Sequence, residues 1–288
     1  MVGASGQVGS ALVRHLSARG DDVVGTHHRR PARETVALNA GDAAATAALV
    51  ESTAVDAVFF AAAHTNVDAC EDDPATAFAI NRDAPAAAAA IAARRGAAFV
   101  LYSTEYVFDG VAGPYAEDAP VRPLSVYGHS KLEGELRVRE AHPGALVVRT
   151  TVVYGIDAQE KNFVYQVLRR GRARQPMKVP ADQRSSPTYV EDLAAASLVL
   201  LDKRLAGVFH VAGPALVDRY ALALDVCRVF AVDPAFLEPV TTASLGQRAP
   251  RPLRAGLRVE RLAALGVALH APVEGLQAMR AALDAQRG

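Results

Sequence analysis

The feature that most restricts the fold of this chain is an alternation. From the first residues to about residue 150, short β-rich runs (Asp22–Thr26, Ala57–Phe60, Ala97–Ser103, Ala145–Arg149) alternate with helical stretches (Val8–Arg19, Ala43–Glu51, Ala75–Arg95, Ser130–Glu140). Strand, helix, strand at this spacing predicts an α/β fold, a doubly wound parallel sheet with helices on both faces. The run Val58-Phe59-Phe60 is apolar without alternation, as strands covered on both sides are. The alanine run Ala86–Ala93 reads as a buried helix, not a linker: alanine is the best helix former, and its small side chain suits close helix–sheet packing. After residue 150 prolines and glycines are more frequent. Helix candidates fall at Asn162–Arg170, Val190–Leu201, Tyr220–Phe230 and Val273–Ala285, with one more strand at Gly207–Val211. The expected division is residues 1–152 as a dinucleotide-binding domain with return segments near 186–212, and 153–288 as a smaller mixed α/β domain for substrate.

The first helix is entered through Gly3-Ala4-Ser5-Gly6-Gln7-Val8-Gly9. Glycine here lets a dinucleotide's pyrophosphate approach the backbone, while the helix N-terminus supplies free N–H groups and a positive dipole end. The strand before such a turn is expected to hold five or six apolar residues, yet only Met1 and Val2 stand there. That predicts a natural start upstream, with this chain beginning at an internal methionine, which the intact mass of the native protein tests.

The second strand carries the cofactor preference. NAD binders place an acidic residue at its end for the ribose 2′-hydroxyl. Here Val23-Val24-Gly25-Thr26 runs into His27-His28-Arg29-Arg30, and Asp21 and Asp22 lie at the wrong end. A guanidinium binds a 2′-phosphate bidentately where a carboxylate repels it, so Arg29 and Arg30 favour NADP. The alternative for this pair is a solvated basic turn.

Tyr127 and Lys131 stand four residues apart, on one face of a helix. Upstream, Ser103-Thr104-Glu105 closes a strand, and a hydroxyl at the C-terminal edge of a parallel strand faces the crevice where ligands bind. Phosphate turn, strand-end hydroxyl and Tyr-x-x-x-Lys together describe ketone reduction. Tyr127 donates a proton to the developing alkoxide, Thr104 orients the carbonyl oxygen, and Lys131 favours the phenolate and holds the nicotinamide ribose. Bringing a phenol from about 10 to neutrality requires about 3–4 kcal/mol of differential stabilisation.

With these residues in place, the chain resembles the extended short-chain dehydrogenase/reductases of the dTDP-4-dehydrorhamnose reductase family over essentially its whole length. The matching stretches are Gly3–Gly9, Ala61–Thr65 with Val67-Asp68, Ser103–Gly110, Pro114-Tyr115, Tyr127–Lys131, Arg149-Thr150, Tyr154-Gly155, Asn162–Val164, and Asp182-Gln183 with Ser186–Thr188. The resemblance implies an NADPH-dependent reduction of the 4-keto group of a nucleotide-linked deoxysugar, with Thr104, Tyr127 and Lys131 as catalytic residues. It implies cofactor contacts at Gln7 and Val8 within the turn that also holds Ser5, at Asn39 and Ala40, at Ala63 and Thr65, and at Tyr102. For substrate it implies Thr104, Glu105, Asn162, Gln183 and Arg184; for the last, a contact to a diphosphate and a solvated surface arginine are equal alternatives. The chain departs from the family pattern at Glu105, where Asp is usual, at Val152, where a tryptophan is usual, and at Asn39, where Asp is common. These departures bear on the sugar more than on the reaction.

A relative of this family, the regulatory beta subunit of methionine adenosyltransferase, shares the arginine pair and the pattern seen here as Leu245–Arg248 and Arg251-Pro252. It implies the rival function, an NADP-binding subunit of a partner enzyme without turnover. A 4,6-dehydratase or epimerase fits less well: the dehydratase Asp-Glu pair is replaced by Glu105-Tyr106, and epimerases generally retain NAD.

Composition removes other classes. A formal net charge of zero provides no global basic field for nucleic acid or anionic membrane. No apolar run reaches the roughly 18 residues that span a bilayer. Cys70 and Cys227 lack metal-ligand or redox spacing, which fits reduced thiols in a cytoplasmic protein. His64 and His129 have no metal-ligand partners at useful spacing. A homodimer is compatible with the sequence, as is a partner enzyme.

Overall fold

The computed structural model describes residues 1–32 and 34–286. The first half runs α1 (Gln7–Arg19), β1 (Gly25–His27), β2 (Thr35–Ala37), α2 (Ala43–Ser52), β3 (Ala57–Phe60), α3 (Val67–Asp72), α4 (Pro74–Phe78), α5 (Ala84–Arg95), β4 (Ala98–Thr104), α6 (Val126–Ala141) and β5 (Leu146–Thr150). The second half adds β6 (Val153–Tyr154), α7 (Phe163–Arg172), β7 (Met177–Pro180), β8 (Arg184–Ser185), β9 (Thr188–Tyr189), α8 (Val190–Asp202), β10 (Gly207–His210), β11 (Val217–Asp218), α9 (Arg219–Phe230), β12 (Leu237–Val240), α10 (Glu260–Ala263) and α11 (Pro272–Ala285).

Strands pair in the parallel order β10-β5-β4-β3. Met1 and Val2 continue the sheet toward β1 and β2. Val2 donates to the Phe59 carbonyl (2.8 Å) and accepts from Ala61 (2.9 Å), while Thr26 donates to the Met1 carbonyl (2.9 Å). The chain therefore leaves Val2 toward β1 on one side and resumes at β3 on the other. That reversal is a topological switch point, where doubly wound sheets bind ligands beyond the strands' carboxyl ends.

Alternate side chains of the strands feed two cores. Phe59, Val100, Tyr102, Val148 and Phe209 face α1 and α8, while Val58, Phe60, Phe99, Leu101 and Val147 face α5 and α6. This is why these strands read as unbroken apolar runs. Ala84, Ala88, Ala89 and Ala92 are completely buried, as the alanine run required. A third core, built on Tyr154, Val164, Leu168, Leu222 and Met279, joins α7, α9 and α11. The return to the first core is longer than expected: beside α8 and β10, the segment through Val259, Leu262 and Leu269 also packs there.

Two helix boundaries differ from expectation. α6 starts four residues before Ser130, because Ser125 accepts from the Gly128 amide (3.2 Å) and Glu71 from the Val126 amide (2.8 Å). The long helix expected over 75–95 is interrupted by a π turn at Ala79–Asp83. Such turns mark positions where a side chain is displaced for a purpose. No helix among the described residues is long and apolar enough to cross a membrane, and both cysteines are buried and unpaired.

Candidate active site

The glycine turn follows Val2. Gly3 has φ +88°, and its amide donates to the Thr26 hydroxyl (3.0 Å). A side chain at Gly9 would overlap the Gly3 carbonyl, so this glycine is required by the fold's own packing. Gly6 differs. A Cβ there meets nothing closer than 3.4 Å, so the fold tolerates one, and its absence leaves the start of α1 open to a ligand. Gly6 caps α1 without any side-chain acceptor, leaving the first-turn amides of Gln7, Val8 and Gly9 free of a cap. Gln159 donates to the Ser5 carbonyl (3.1 Å) and Gln7 to the Gly155 carbonyl (3.4 Å), tying the turn to the loop before α7.

Arg29 and Arg30 follow β1, exposed and without a hydrogen bond or ion pair among the described residues. Asn39 and Ala40 follow β2, where the Asn39 amide oxygen accepts from the Gly41 amide (3.0 Å). Ala63 and Thr65 lie past the end of β3. The Tyr102 ring lies in the core covered by α1 and α8, and its carbonyl accepts from Lys131.

Thr104 ends β4, and Tyr127 and Lys131 project from α6. Thr104 Oγ1 accepts from the Tyr106 amide (3.2 Å), and its hydroxyl acts on the Tyr127 phenol from the end of β4. Lys131 Nζ donates to the Tyr102 carbonyl (2.6 Å). All three are buried. Burial lowers the Lys131 ammonium to about 8, opposed by Glu135. Burial raises the Tyr127 phenol above its ordinary 10, and Tyr106, Cys70 and Glu105 add to the rise while Thr104 opposes it. The Lys131 amine thus engages a backbone carbonyl, and desolvation favours the neutral Tyr127 phenol.

Asn81, unnoticed in the sequence, is the side chain of the π turn. It accepts from the His64 amide (2.8 Å) and donates to the His64 carbonyl (3.1 Å) and to Ser130 Oγ (3.0 Å). It thereby fixes the loop after β3 against the turn of α6 that carries Tyr127. An asparagine within an alanine-rich helix was the available signal.

Glu105 is 2% exposed and sits beside this group. Ser185 donates to its Oε1 (2.7 Å), and its Oε2 has no hydrogen-bond partner. Desolvation raises its carboxyl from 4.5 to about 7, against the Thr151 and Ser185 hydroxyls and Arg219. A carboxyl raised on folding favours the folded state below its unfolded value and loses that contribution as pH climbs through the folded one. Glu105→Gln, which keeps the acceptor for Ser185, is thus expected to match wild type near pH 4 and to be more stable by roughly 3 kcal/mol above about pH 7. Thermal melts across that range check this; parallel melting curves for the two proteins refute it.

The remaining expected substrate residues separate. Asn162 caps α7 through the Tyr165 amide (3.3 Å) and donates to the Gly155 carbonyl (3.0 Å). Gln183 is buried, and its Oε1 accepts from Arg219 Nε (2.9 Å). Arg184 has an exposed side chain, and its backbone is bound to Leu253 and Ala255. Arg219, which sequence reasoning passed over, lies over the Phe163 ring at 5.1 Å. Among the described residues no cluster of three or more His, Cys, Asp or Glu is arranged to hold a metal.

Comparison with known proteins gives the lineage. A family model described as "RmlD substrate binding domain" matches residues 1–284. A dTDP-4-dehydrorhamnose reductase of Mycobacterium tuberculosis is 36% identical over 273 residues, covering 93% of this chain and 86% of its own. The methionine adenosyltransferase 2 subunit beta of Xenopus tropicalis is 30% identical over 279 residues, covering 94% and 83%. The crystal structure of dTDP-4-dehydrorhamnose reductase from Bacillus anthracis in complex with NADP superposes with a TM-score of 0.89 at 29% identity, over 98% of this chain and 97% of that one.

Proposed function

The chain belongs to the RmlD substrate binding domain family, and from that premise we propose that it is an NADPH-dependent ketoreductase acting on the 4-keto group of a nucleotide-linked deoxysugar. What supports the reading is that Thr104 ends β4 while Tyr127 and Lys131 stand one turn apart on α6, all three buried, with Lys131 tied to the Tyr102 carbonyl of β4, on the sheet whose switch point opens into an uncapped glycine turn. The residues present suit the cofactor. The open start of α1 accepts a pyrophosphate without displacing any side chain, and two exposed guanidinium groups after β1, unpartnered among the described residues, suit a 2′-phosphate. In this reading Gly3–Gly9, Arg29, Arg30, Asn39, Ala40, Ala63, Thr65 and the Tyr102 carbonyl line the NADPH site. Residues 1–152, with the return near 186–212 and the segment through Val259 and Leu269 packed on the same core, form the cofactor unit, and the rest of 153–288 brings the substrate.

Bound NADPH supplies the hydride. The protein's own part is the proton. Tyr127, kept protonated by burial, donates to the oxygen of the ketone as it gains alkoxide character, a far stronger base than a phenolate. Thr104 orients that oxygen. Lys131 steadies the phenolate left behind, its ammonium aligned by the Tyr102 carbonyl.

The test is NADPH consumption with a panel of nucleotide-linked 4-keto sugars. Turnover with at least one member, and much slower turnover with NADH, is expected. The likeness to the methionine adenosyltransferase subunit supports a second reading, in which the same cleft binds NADP and the chain serves a partner enzyme. No turnover across the panel, together with tight NADP binding and a co-purifying enzyme, would decide for that reading.

A further inference from the structure

The loop between β6 and α7 carries its own fastenings. Asp157, 5% exposed, gathers the loop around its carboxylate, whose two oxygens accept from the Gln159 and Lys161 amides at 2.9 Å each. Its carbonyl accepts from the Glu160 amide (2.9 Å). Gly155 opens the loop at φ +131°, where a side chain would meet Val190 Cγ1 at 2.6 Å, so the backbone lies close against the start of α8. At the far end Asn162 caps α7 and donates back to the Gly155 carbonyl (3.0 Å). None of these bonds involves the glycine turn, so the shape of the loop is set within residues 155–162.

Two side-chain amides then join this loop to the turn. Gln159 Nε2 donates to the Ser5 carbonyl at 3.1 Å, and Gln7 Nε2 donates to the Gly155 carbonyl at 3.4 Å, the weaker of the two. Ser5 and Gln7 stand on either side of Gly6, the cap of α1. The loop is therefore bonded on both sides of the point where free helix amides and a missing Cβ leave room for a ligand. The Gln159 bond has a specific effect there. The peptide joining Ser5 to Gly6 is a rigid plane, and its N–H already donates to the Gly3 carbonyl (3.1 Å). With Gln159 on its C=O, both ends of that plane are held, and a glycine that is otherwise free to rotate is fixed in one orientation.

We propose that residues 155–161 form a strap along the pyrophosphate of the bound dinucleotide, with Gln159 as the positioning residue that fastens it. The proposal rests on the placing of the pyrophosphate at the start of α1 and is independent of which ketone is reduced. Gln159 acts through the Ser5–Gly6 peptide: it pre-orients the amides of Gln7 and Val8, so the ligand does not have to order them on binding. Because the strap belongs to the substrate unit, the grip on the cofactor is completed by both units, and its loss shows mainly as faster release.

The probe is NADPH bound to the full chain and displaced by excess NADP in a stopped-flow fluorimeter. Gln159→Met keeps the reach of the side chain without a donor and is expected to release NADPH roughly 3- to 10-fold faster than wild type. Gln159→Glu, which sets an acceptor against the Ser5 carbonyl, is expected to be faster still. Gln159→Lys, which keeps a donor, is expected to stay within about threefold of wild type. Gln159 is half-buried, so none of these changes disturbs a core. Gly6→Ala, whose Cβ the fold accommodates, is expected to weaken NADPH by about tenfold because it fills the ligand's side of the turn. Wild-type release from Gln159→Met beside a weakened Gly6→Ala overturns the strap and leaves the cofactor where it was placed. One common rate for all three Gln159 substitutions also overturns it, since loss of packing alone does not distinguish donor from acceptor. Unchanged NADPH binding in Gly6→Ala overturns the placing of the pyrophosphate, and the strap with it.

Discussion

Tyr127→Phe is expected to lower the rate of ketone reduction by about a thousandfold while leaving NADPH affinity within about twofold of wild type. Only the hydroxyl is removed, so the ring, its edge contact with Tyr106 and the Ser125-capped start of α6 all persist. In the proposed mechanism, what disappears is the proton that meets the developing alkoxide. Single-turnover NADPH oxidation with substrate in excess isolates that step from product release. A variant that keeps more than a tenth of the rate would shift the acid to another group, and Glu105 stands nearest in chemistry. The pH profile carries an independent mark of the same arrangement. With the phenol raised above 10 it does not titrate in the working range, so the alkaline fall of the rate is expected near 8, where Lys131 loses its charge. A fall only above 10 would contradict this.

How far these residues were legible in sequence follows from the range of the forces involved. β3, β4 and β5 were readable because both faces of each strand are covered, which writes a local apolar run. α5 was readable because its buried face is made of alanines. Tyr127 and Lys131 were readable because a four-residue spacing is a property of one helix. The true start of α6 was not, since Glu71, which binds the Val126 amide, lies 55 residues away. The π turn escaped notice because Asn81 is displaced by contacts to His64 and Ser130, on two other elements. β6, β8, β9 and β11 are two-residue pairings, too short to hold a period. Arg184 drew attention as a charged residue beside a matching motif, yet only the fold distinguishes an exposed arginine from Arg219, held over the Phe163 ring. Charge type is written locally, whereas orientation is a long-range outcome.

The largest stability effect is expected one turn beyond Lys131. Glu135 and Arg149 are 2% and 4% exposed, joined by Arg149 Nη2 to Oε2 (2.6 Å) and Nε to Oε1 (2.9 Å). Ser103 donates to the same carboxylate from the end of β4, and the guanidinium lies 5.2 Å from the Phe108 ring. Removing one member strands a buried charge, so Glu135→Ala is expected to destabilise the protein by about 3–5 kcal/mol. Replacing both with apolar residues, as in Glu135→Leu with Arg149→Met, removes the stranded charge and is expected to recover more than half of that loss in urea denaturation. The carboxylate has a second effect that this repair leaves undone. Glu135 raises Lys131, its neighbour on α6, against desolvation. In the double variant nothing replaces that negative charge, so the alkaline fall of the reduction rate is expected below the wild-type value of about 8 even though stability has returned. If stability and the pH limb recover together, Glu135 acts only as a structural anchor. If stability returns and the limb stays displaced, the same carboxylate that closes the core also maintains the charge on which the proton transfer from Tyr127 depends.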